Sequence, residues 1–128
     1  MPPFFLEVEH VVRIHLSVIE RYGGQQGIRD MGLLHSAVAM PQAAFEGCLL
    51  HEDVFAMAGA YLFHIVQDHP FIDGNKRTGA AAAIVFMAMN DVEVEADEEG
   101  LVELTMAVAR GEAGIPRIAD FFRSKSCN

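Results

Sequence analysis

Two neighbouring segments of this chain are apolar on nearly every side, and they constrain the fold more than any other feature. The first runs from Val54 to Val66 and the second from Ala80 to Met89. A helix without a polar face is stable in water only when other parts of the protein cover it. We therefore predict two helices buried at the centre of the domain. Because the first is interrupted by His64 and is shorter than the roughly 20 residues of a membrane span, no membrane association is expected.

Amphipathic helices are predicted on both sides of this central pair. Apolar residues recur at helical spacing from Val8 to Ile19, and this helix should stop at Gly23-Gly24. A second helix is expected from about Asp30, which can act as its N-cap, to Met40.

The rest of the chain adds two more helices and little extended structure. Residues 41–52 show no strong periodicity and indicate a loop or a short extended segment, after which Asp53 can cap the first buried helix. Residues 92–95 alternate as a short strand or an extended turn would, and two helices follow, one ending at Gly111 and one starting near Pro116. The sequence therefore predicts an all-α, compact bundle of about six helices, with at most a short extended hairpin or flap.

Composition limits the class of protein. The 128 residues fit one domain, spanning 1–128, and the 18 acidic against 9 basic residues give a net charge of −9. Such a balance argues against binding to nucleic acid, which requires clustered Lys and Arg. Cys48 and Cys127 lack the spacing of a metal site and are typical of a reducing compartment. With no signal-peptide pattern at the start, we expect a cytoplasmic protein.

Between the two buried segments lies a dense run of polar residues. It places an imidazole, a carboxylate, an amide and two cations where one core helix ends and the next begins. Folding alone does not require such chemistry between two apolar helices, so this run is the candidate functional site. It reads His69-Pro70-Phe71-Ile72-Asp73-Gly74-Asn75-Lys76-Arg77-Thr78-Gly79.

The first half of the run presents a base. Pro70 disfavours α geometry at the preceding residue, so His69 is expected in an extended conformation at the exit of the first buried helix. An imidazole with a pKa near neutrality can accept a proton from an incoming hydroxyl. Phe71 and Ile72 are expected to be buried beneath the turn.

The second half of the run is suited to an anion. Asp73-Gly74-Asn75 should open the next helix, whose first backbone N–H groups have no intrahelical acceptors and favour a bound anion. Lys76 and Arg77 add positive charge there, and Asp73 offers the hard oxygen ligands that Mg²⁺ accepts. Together, a base, a metal ligand and an anion site indicate transfer of a phosphorus-centred group from a nucleotide.

Other interpretations of the same residues remain open. Asp73 or Asn75 alone could be a helix cap, and His69 alone could be a cation at a helix C-terminus. Cations at a helix N-terminus oppose the helix dipole, however, unless an anion is bound there. A metal hydrolase using His64, His69 and Asp73 is a further hypothesis, although the spacing matches no ligand motif and His64 is more typical of a core histidine.

Residues 69–77 resemble the signature of the Fic/Doc family, His-x-Phe-x-Asp/Glu-Gly/Ala-Asn-Gly/Lys-Arg, and Lys76 matches its Doc (death-on-curing) branch of toxins. The resemblance covers nearly the whole chain and implies an all-α Fic fold with the motif at the mouth of a nucleotide pocket. It continues, in the same order, through Arg21-Tyr22-Gly23-Gly24, Gly27-Ile28-Arg29-Asp30, Leu33-Leu34, Pro41-Gln42, Glu95-Ala96-Asp97 and Gly111-Glu112.

Roles for individual residues follow from this resemblance by position. It implies that His69 is the general base, that Asp73 is the Mg²⁺ ligand, and that Asn75 and Arg77 contact phosphates, Arg77 the terminal ones. The implied catalytic set is His69, Asp73, Lys76 and Arg77. The implied ATP-binding set is Gly74, Asn75, Lys76 and Arg77.

The resemblance also implies an activity. Doc-type proteins pass the γ-phosphate of ATP to a threonine of elongation factor Tu and so stop translation. Lys76 fills the space that a glycine leaves open in AMP-transferring Fic enzymes, and Ala80 stands where those enzymes tend to carry a second Arg. The expected function is therefore a toxin kinase acting on a Ser/Thr hydroxyl of a translation factor. AMP transfer and a non-catalytic protein that holds only nucleotide or antitoxin are the alternatives.

An inhibitor in trans is expected as a partner. Many Fic proteins carry an inhibitory helix with the pattern Ser/Thr-x-x-x-Glu-Gly/Asn, but the pairs Glu46-Gly47 and Glu99-Gly100 are preceded here by Gln42 and Glu95. The resemblance thus implies a Phd-like antitoxin whose tail folds on binding.

Residues 41–52 correspond to the flap with which family members hold the target segment. By this weaker correspondence Phe45 and the loop around Gly47 would lie near the substrate. A phenylalanine is, however, more often a core residue than a clamp.

Overall fold

The computed structural model describes residues 2–127, and these form a helical bundle with one small hairpin. The expected all-α fold of about six helices is confirmed. A short 3-10 turn, Met40–Gln42, leads into the hairpin of β1, Ala44–Phe45, and β2, Cys48–Leu49. The helices are α1 Val8–Tyr22, α2 Met31–Ala39, α3 Val54–Asp68, α4 Asn75–Met89, α5 Glu98–Ala109 and α6 Ile115–Lys125.

Short polar residues begin the helices where the sequence indicated. The Asp30 side chain accepts a hydrogen bond from the backbone N–H of Leu33 (2.9 Å), and that of Asp53 accepts one from Ala56 (2.8 Å). Both satisfy donors that a helix start leaves without partners. Gly23 ends α1 with a φ of 85°, a conformation that glycine adopts without strain. These three predictions are confirmed.

The two apolar segments form the centre of the molecule, as predicted. α3 packs against α4 along its length and also contacts α6, α2 and α5. A Cβ added at Gly79 would lie 3.0 Å from Val66 Cγ2 and 3.2 Å from the Leu62 carbonyl oxygen, so this glycine lets the helices approach closely. The shared core draws residues from Leu6 near the start to Phe122 near the end.

Residues 92–95 form no strand, only an isolated bridge between Val94 and Ser126, which leaves the extended turn of the two alternatives. One expectation about the hairpin needs correction. Phe45 is not a core residue, since 68% of it is exposed on the hairpin. Both strands of the hairpin are exposed along their whole length, so no part of the core covers this ring. No helix among residues 2–127 is long and apolar enough to cross a membrane.

Candidate active site

His69 lies directly after α3, with its side chain exposed, and its backbone is left-handed. Its φ of 52° and ψ of 54° contradict the extended conformation predicted from Pro70. A left-handed residue ends a helix by turning the chain sharply, and here its N–H still donates to the Ile65 carbonyl (3.3 Å). The turn overrides the preference that proline imposes on its neighbour.

A second segment supports this turn from the side. Residues 27–30 run antiparallel to residues 70–72, with the N–H of Arg29 donating to the Pro70 carbonyl (2.7 Å) and that of Ile72 to Gly27 (3.0 Å). Gly27 has a φ of 133°, which residues with a side chain rarely adopt, and a Cβ there would also displace Ile72 Cδ1, which would lie 2.6 Å away. Ile72 is 43% exposed, so its predicted burial is wrong, whereas Phe71 is fully buried as expected.

Phe71 anchors the run between two polar residues that are themselves buried. The His15 ring stacks flat on the Phe71 ring, with centroids 3.9 Å apart. The Asn75 side chain binds Phe71 twice, its Oδ1 accepting from the N–H and its Nδ2 donating to the carbonyl (both 2.9 Å). Asn75 is only 4% exposed, and its side chain holds the loop in shape. Its contact with phosphate stays a prediction.

Asp73 is held by three hydrogen bonds to different parts of the chain. Its Oδ1 accepts from the N–H of Gly74 (2.8 Å), its Oδ2 from Gln25 (3.1 Å), and its backbone carbonyl from His15 Nε2 (2.8 Å). The N–H donors of Gln25 and then Gly74 hold the pKa of the exposed Asp73 carboxyl below its usual value of 3.8. The group is therefore a fixed carboxylate at neutral pH.

The Asp73 carboxylate fits a site for Mg²⁺. Each oxygen accepts one hydrogen bond and keeps a free lone pair, and the side chain is exposed, which leaves room for water and phosphate ligands. Mg²⁺ commonly uses one or two carboxylates and completes its shell with phosphates and water. Asp73 does not cap α4, so that alternative interpretation is wrong.

The start of α4 is uncapped and positively charged. Gly74 is the N-cap, no side chain caps the helix, and its first turn contains no acidic residue. Lys76 and Arg77 are exposed there, and among residues 2–127 neither has a carboxylate within salt-bridge distance. Free N–H groups, the positive end of the helix dipole and two cations without anionic partners together favour a phosphate group.

The C-terminal end of α1 completes the site, and its role was missed from sequence. The Arg77 guanidinium carbon lies 4.3 Å from the centre of the Tyr22 ring. At Gly24 a Cβ would lie 2.7 Å from Asp73 Oδ2, so glycine leaves space for the carboxylate. His15 could have been found, because it follows Val11 by four residues and so shares the buried face of α1.

His64 takes no part in a metal site. The described part of the chain holds no group of three His, Cys, Asp or Glu side chains that could share a metal ion, so His64, His69 and Asp73 are not a ligand set. His64 is half-buried rather than a core residue, and its ring meets that of Phe63 edge-on. Burial lowers the pKa of His64, opposed by nearby Asp68.

The motif lies at the surface, since His69, Asp73, Lys76 and Arg77 are all exposed. Grooves of about 440 and 310 Å³ lie elsewhere on the molecule. The larger is lined by the ends of α4, α5 and α6, and the smaller by residues 50–52, the start of α3 and α6. The candidate site is defined by the geometry of its polar groups.

The fold and site define an all-helical protein that presents an exposed histidine, a carboxylate and an uncapped helix N-terminus on one loop. Residues 5–87 of this chain match the Fic/DOC family. The chain belongs to that family.

Two curated relatives are similar to this chain, one over nearly its whole length and one over part of it. Over 117 residues the chain is 34% identical to the protein kinase doc of Escherichia phage P1, covering 90% of each protein. Over 76 residues it is 42% identical to the toxin Doc of Mycolicibacterium smegmatis, covering 59% of this chain and 58% of that protein.

Proposed function

We propose that this protein is the toxin of a toxin–antitoxin pair and a kinase that transfers the γ-phosphate of ATP to a Ser/Thr hydroxyl of a translation factor, with elongation factor Tu as the expected target. One observation carries the proposal. The N-terminus of α4, with Lys76 and Arg77 lacking anionic partners, lies in the same loop as a fixed carboxylate and an exposed histidine.

The proposed transfer assigns one role to each group. His69 accepts the proton of the attacking hydroxyl as its oxygen bonds to the γ-phosphorus, the bond from that phosphorus to the β–γ bridging oxygen breaks, and ADP leaves. Arg77 and the open N–H groups of α4 hold the phosphate oxygens, and Asp73 binds Mg²⁺. The metal, when bound, neutralises charge on the phosphates.

Lys76 favours phosphate transfer over AMP transfer. Its side chain stands at the second residue of α4, where a glycine would leave the helix end open to further phosphates. A lysine occupies that space and adds a mobile positive charge. The similarity to a protein kinase over nearly the whole chain supports the same choice.

An antitoxin is the proposed regulatory partner. The similarity to a Doc toxin supports it, and the printed sequence contains no inhibitory Ser/Thr-x-x-x-Glu-Gly/Asn pattern. Because the proposed target is a translation factor, the proposed place of action is the cytoplasm.

Labelled ATP tests the reaction. The purified protein is incubated with a bacterial lysate and ATP labelled at either the γ- or the α-phosphate, and the acceptor is identified from the labelled band. We expect label from the γ position only. Label retained from the α position would contradict the kinase proposal and favour AMP transfer.

The variant His69→Ala separates catalysis from binding. We expect it to abolish transfer with little loss of stability, because the side chain is exposed. Expression of the wild-type protein should arrest growth, and the variant should relieve the arrest. Arrest by both proteins would instead support a non-catalytic member that acts by binding alone.

A further inference from the structure

The backbone of His69 is left-handed, with a φ of 52° and a ψ of 54°. This region is strained for a residue with a side chain, because its Cβ then lies close to the following carbonyl oxygen. A strained residue of this kind persists only where its surroundings fix it. The contacts around His69 should therefore include the groups that hold it.

Arg29 makes those contacts. Its Nε donates to the His69 carbonyl (2.6 Å) and its terminal nitrogen to the Asp68 carbonyl (2.9 Å). The last carbonyls of a helix have no intrahelical donors, and a cation there also complements the helix dipole. The backbone N–H groups of Arg29 and Asp30 both donate to the carbonyl of Pro70, at 2.7 and 3.1 Å. Residues 68, 69 and 70 are thus all bound from one short segment.

We propose that Arg29 is a positioning residue for His69, which holds the left-handed turn and thereby fixes the direction in which the imidazole leaves α3. The inference rests on the proposed function, in which His69 is the base. Arg29 does not touch the reacting atoms. It acts on the proton-accepting step through the backbone of His69.

The hydrogen bonds from Arg29 to the carbonyls of Asp68 and His69 depend on the geometry of a guanidinium. Its N–H groups point in fixed directions from one plane, so it can bind two consecutive carbonyls at once. A lysine ammonium keeps the charge but has no such fork. Arg29→Lys should therefore fix the backbone of His69 only in part, and Arg29→Ala should not fix it. Arg13→Ala is the matched control, because Arg13 is an exposed arginine in the middle of α1.

The kinetic test uses full-length protein, ATP and the acceptor protein. We expect Arg29→Ala to lower kcat about 10- to 100-fold, as misplacement of a catalytic group does, while the KM for ATP changes less than about twofold. Arg29→Lys should fall between this variant and the wild type, and Arg13→Ala should match the wild type. A wild-type kcat in Arg29→Ala would overturn the inference.

A second measurement does not depend on activity. In ¹H–¹³C spectra of protein labelled at histidine, with His69→Ala used for assignment, the His69 ring signal should shift and broaden in Arg29→Ala. The signal of His35, which is exposed on α2, should stay unchanged. An unchanged His69 signal would overturn the inference even if kcat falls. If the wild type transfers no phosphate, the proposed function fails, and this spectrum still decides whether Arg29 holds His69.

Discussion

At the scale of single residues, His69 shows a conflict between chemistry and stability. A glycine would suit the left-handed turn after α3 better, yet a glycine could not supply the proposed base. Asn75 shows the opposite case, since its buried amide serves the loop's shape through Phe71. Within one short motif, the exposed His69 is thus proposed to act in the reaction, whereas the buried Asn75 stabilises the loop.

Two substitutions at position 69 test the strain. Both His69→Gly and His69→Ala remove the imidazole, but only glycine adopts a φ of 52° without cost. We expect the glycine variant to be more stable than the alanine variant by about 1 kcal/mol, measured by urea unfolding. Equal stabilities would show that this backbone is not left-handed in solution.

At the scale of elements, the end of α1 and the glycine turn after it build one side of the site. Tyr22 lies under Arg77, Gly24 leaves space for the Asp73 carboxylate, and the Gln25 N–H binds it. This part of the chain thus contributes no proposed catalytic group, but it contacts Asp73 and Arg77, which are proposed to be catalytic.

The glycine pair after α1 gives a matched test of that contact. Gly23 and Gly24 both have positive φ, so alanine strains the backbone at either position, but only at Gly24 would the new Cβ meet Asp73 Oδ2, at 2.7 Å. We expect Gly24→Ala to raise the Mg²⁺ concentration needed for half-maximal transfer well above that of Gly23→Ala. Equal Mg²⁺ requirements in the two variants would argue against a metal role for Asp73.

The ring of Tyr22 can be tested separately from its hydroxyl. Tyr22→Phe keeps the face beneath Arg77, whereas Tyr22→Leu removes it. An exposed cation–π contact contributes roughly 0.5–1 kcal/mol, so Tyr22→Leu should raise the KM for ATP about two- to fivefold. Tyr22→Phe should have the wild-type KM. A raised KM in both variants would assign the effect to the hydroxyl.

Sequence patterns predicted the helices and their caps better than the contacts between them. Asp30, Asp53 and Gly23 act within four residues of themselves, so local rules suffice for them. The contacts of Tyr22 with Arg77 and of Gln25 with Asp73 join residues far apart in the sequence, and depend on how α1 packs on α4. The left-handed His69 depends similarly on tertiary support that overrides a local preference.

At the scale of the whole molecule, two apolar helices carry the core and the site lies at the junction between them. α3 ends at Asp68 and α4 begins at Asn75, so the loop between them is fixed at both ends by buried helices. The chain carries a net charge of −9, yet among residues 2–127 no carboxylate lies within salt-bridge distance of Lys76 or Arg77. An anionic ligand is therefore the natural complement of this region.

Half-buried His64 on α3 should make the stability of the whole domain depend on pH. Burial, and the neighbouring charge of His51, lower the pKa of His64 from 6.5, while Asp68 acts in the opposite direction. The unfolded chain then binds the proton more readily. The contribution of neutral His64 to the stability of the folded state is therefore present above pH 6.5 and is lost as the pH falls through the folded-state pKa.

Thermal unfolding at neutral pH and at about pH 5 measures this dependence. We expect His64→Gln to lose less stability than the wild type on acidification. His35→Gln, at an exposed position of α2, serves as the control and should follow the wild type. The same acid-induced loss in His64→Gln and in the wild type would contradict the assignment.

The central claim is that the loop between α3 and α4 transfers a phosphate and that His69 is the base. Mass spectrometry of purified elongation factor Tu, after incubation with the protein, ATP and Mg²⁺, tests it most directly. The account predicts an added mass of one phosphoryl group on a Ser or Thr residue with the wild type, and no added mass with His69→Ala. An added AMP group, or a phosphoryl group added equally by His69→Ala, would contradict it.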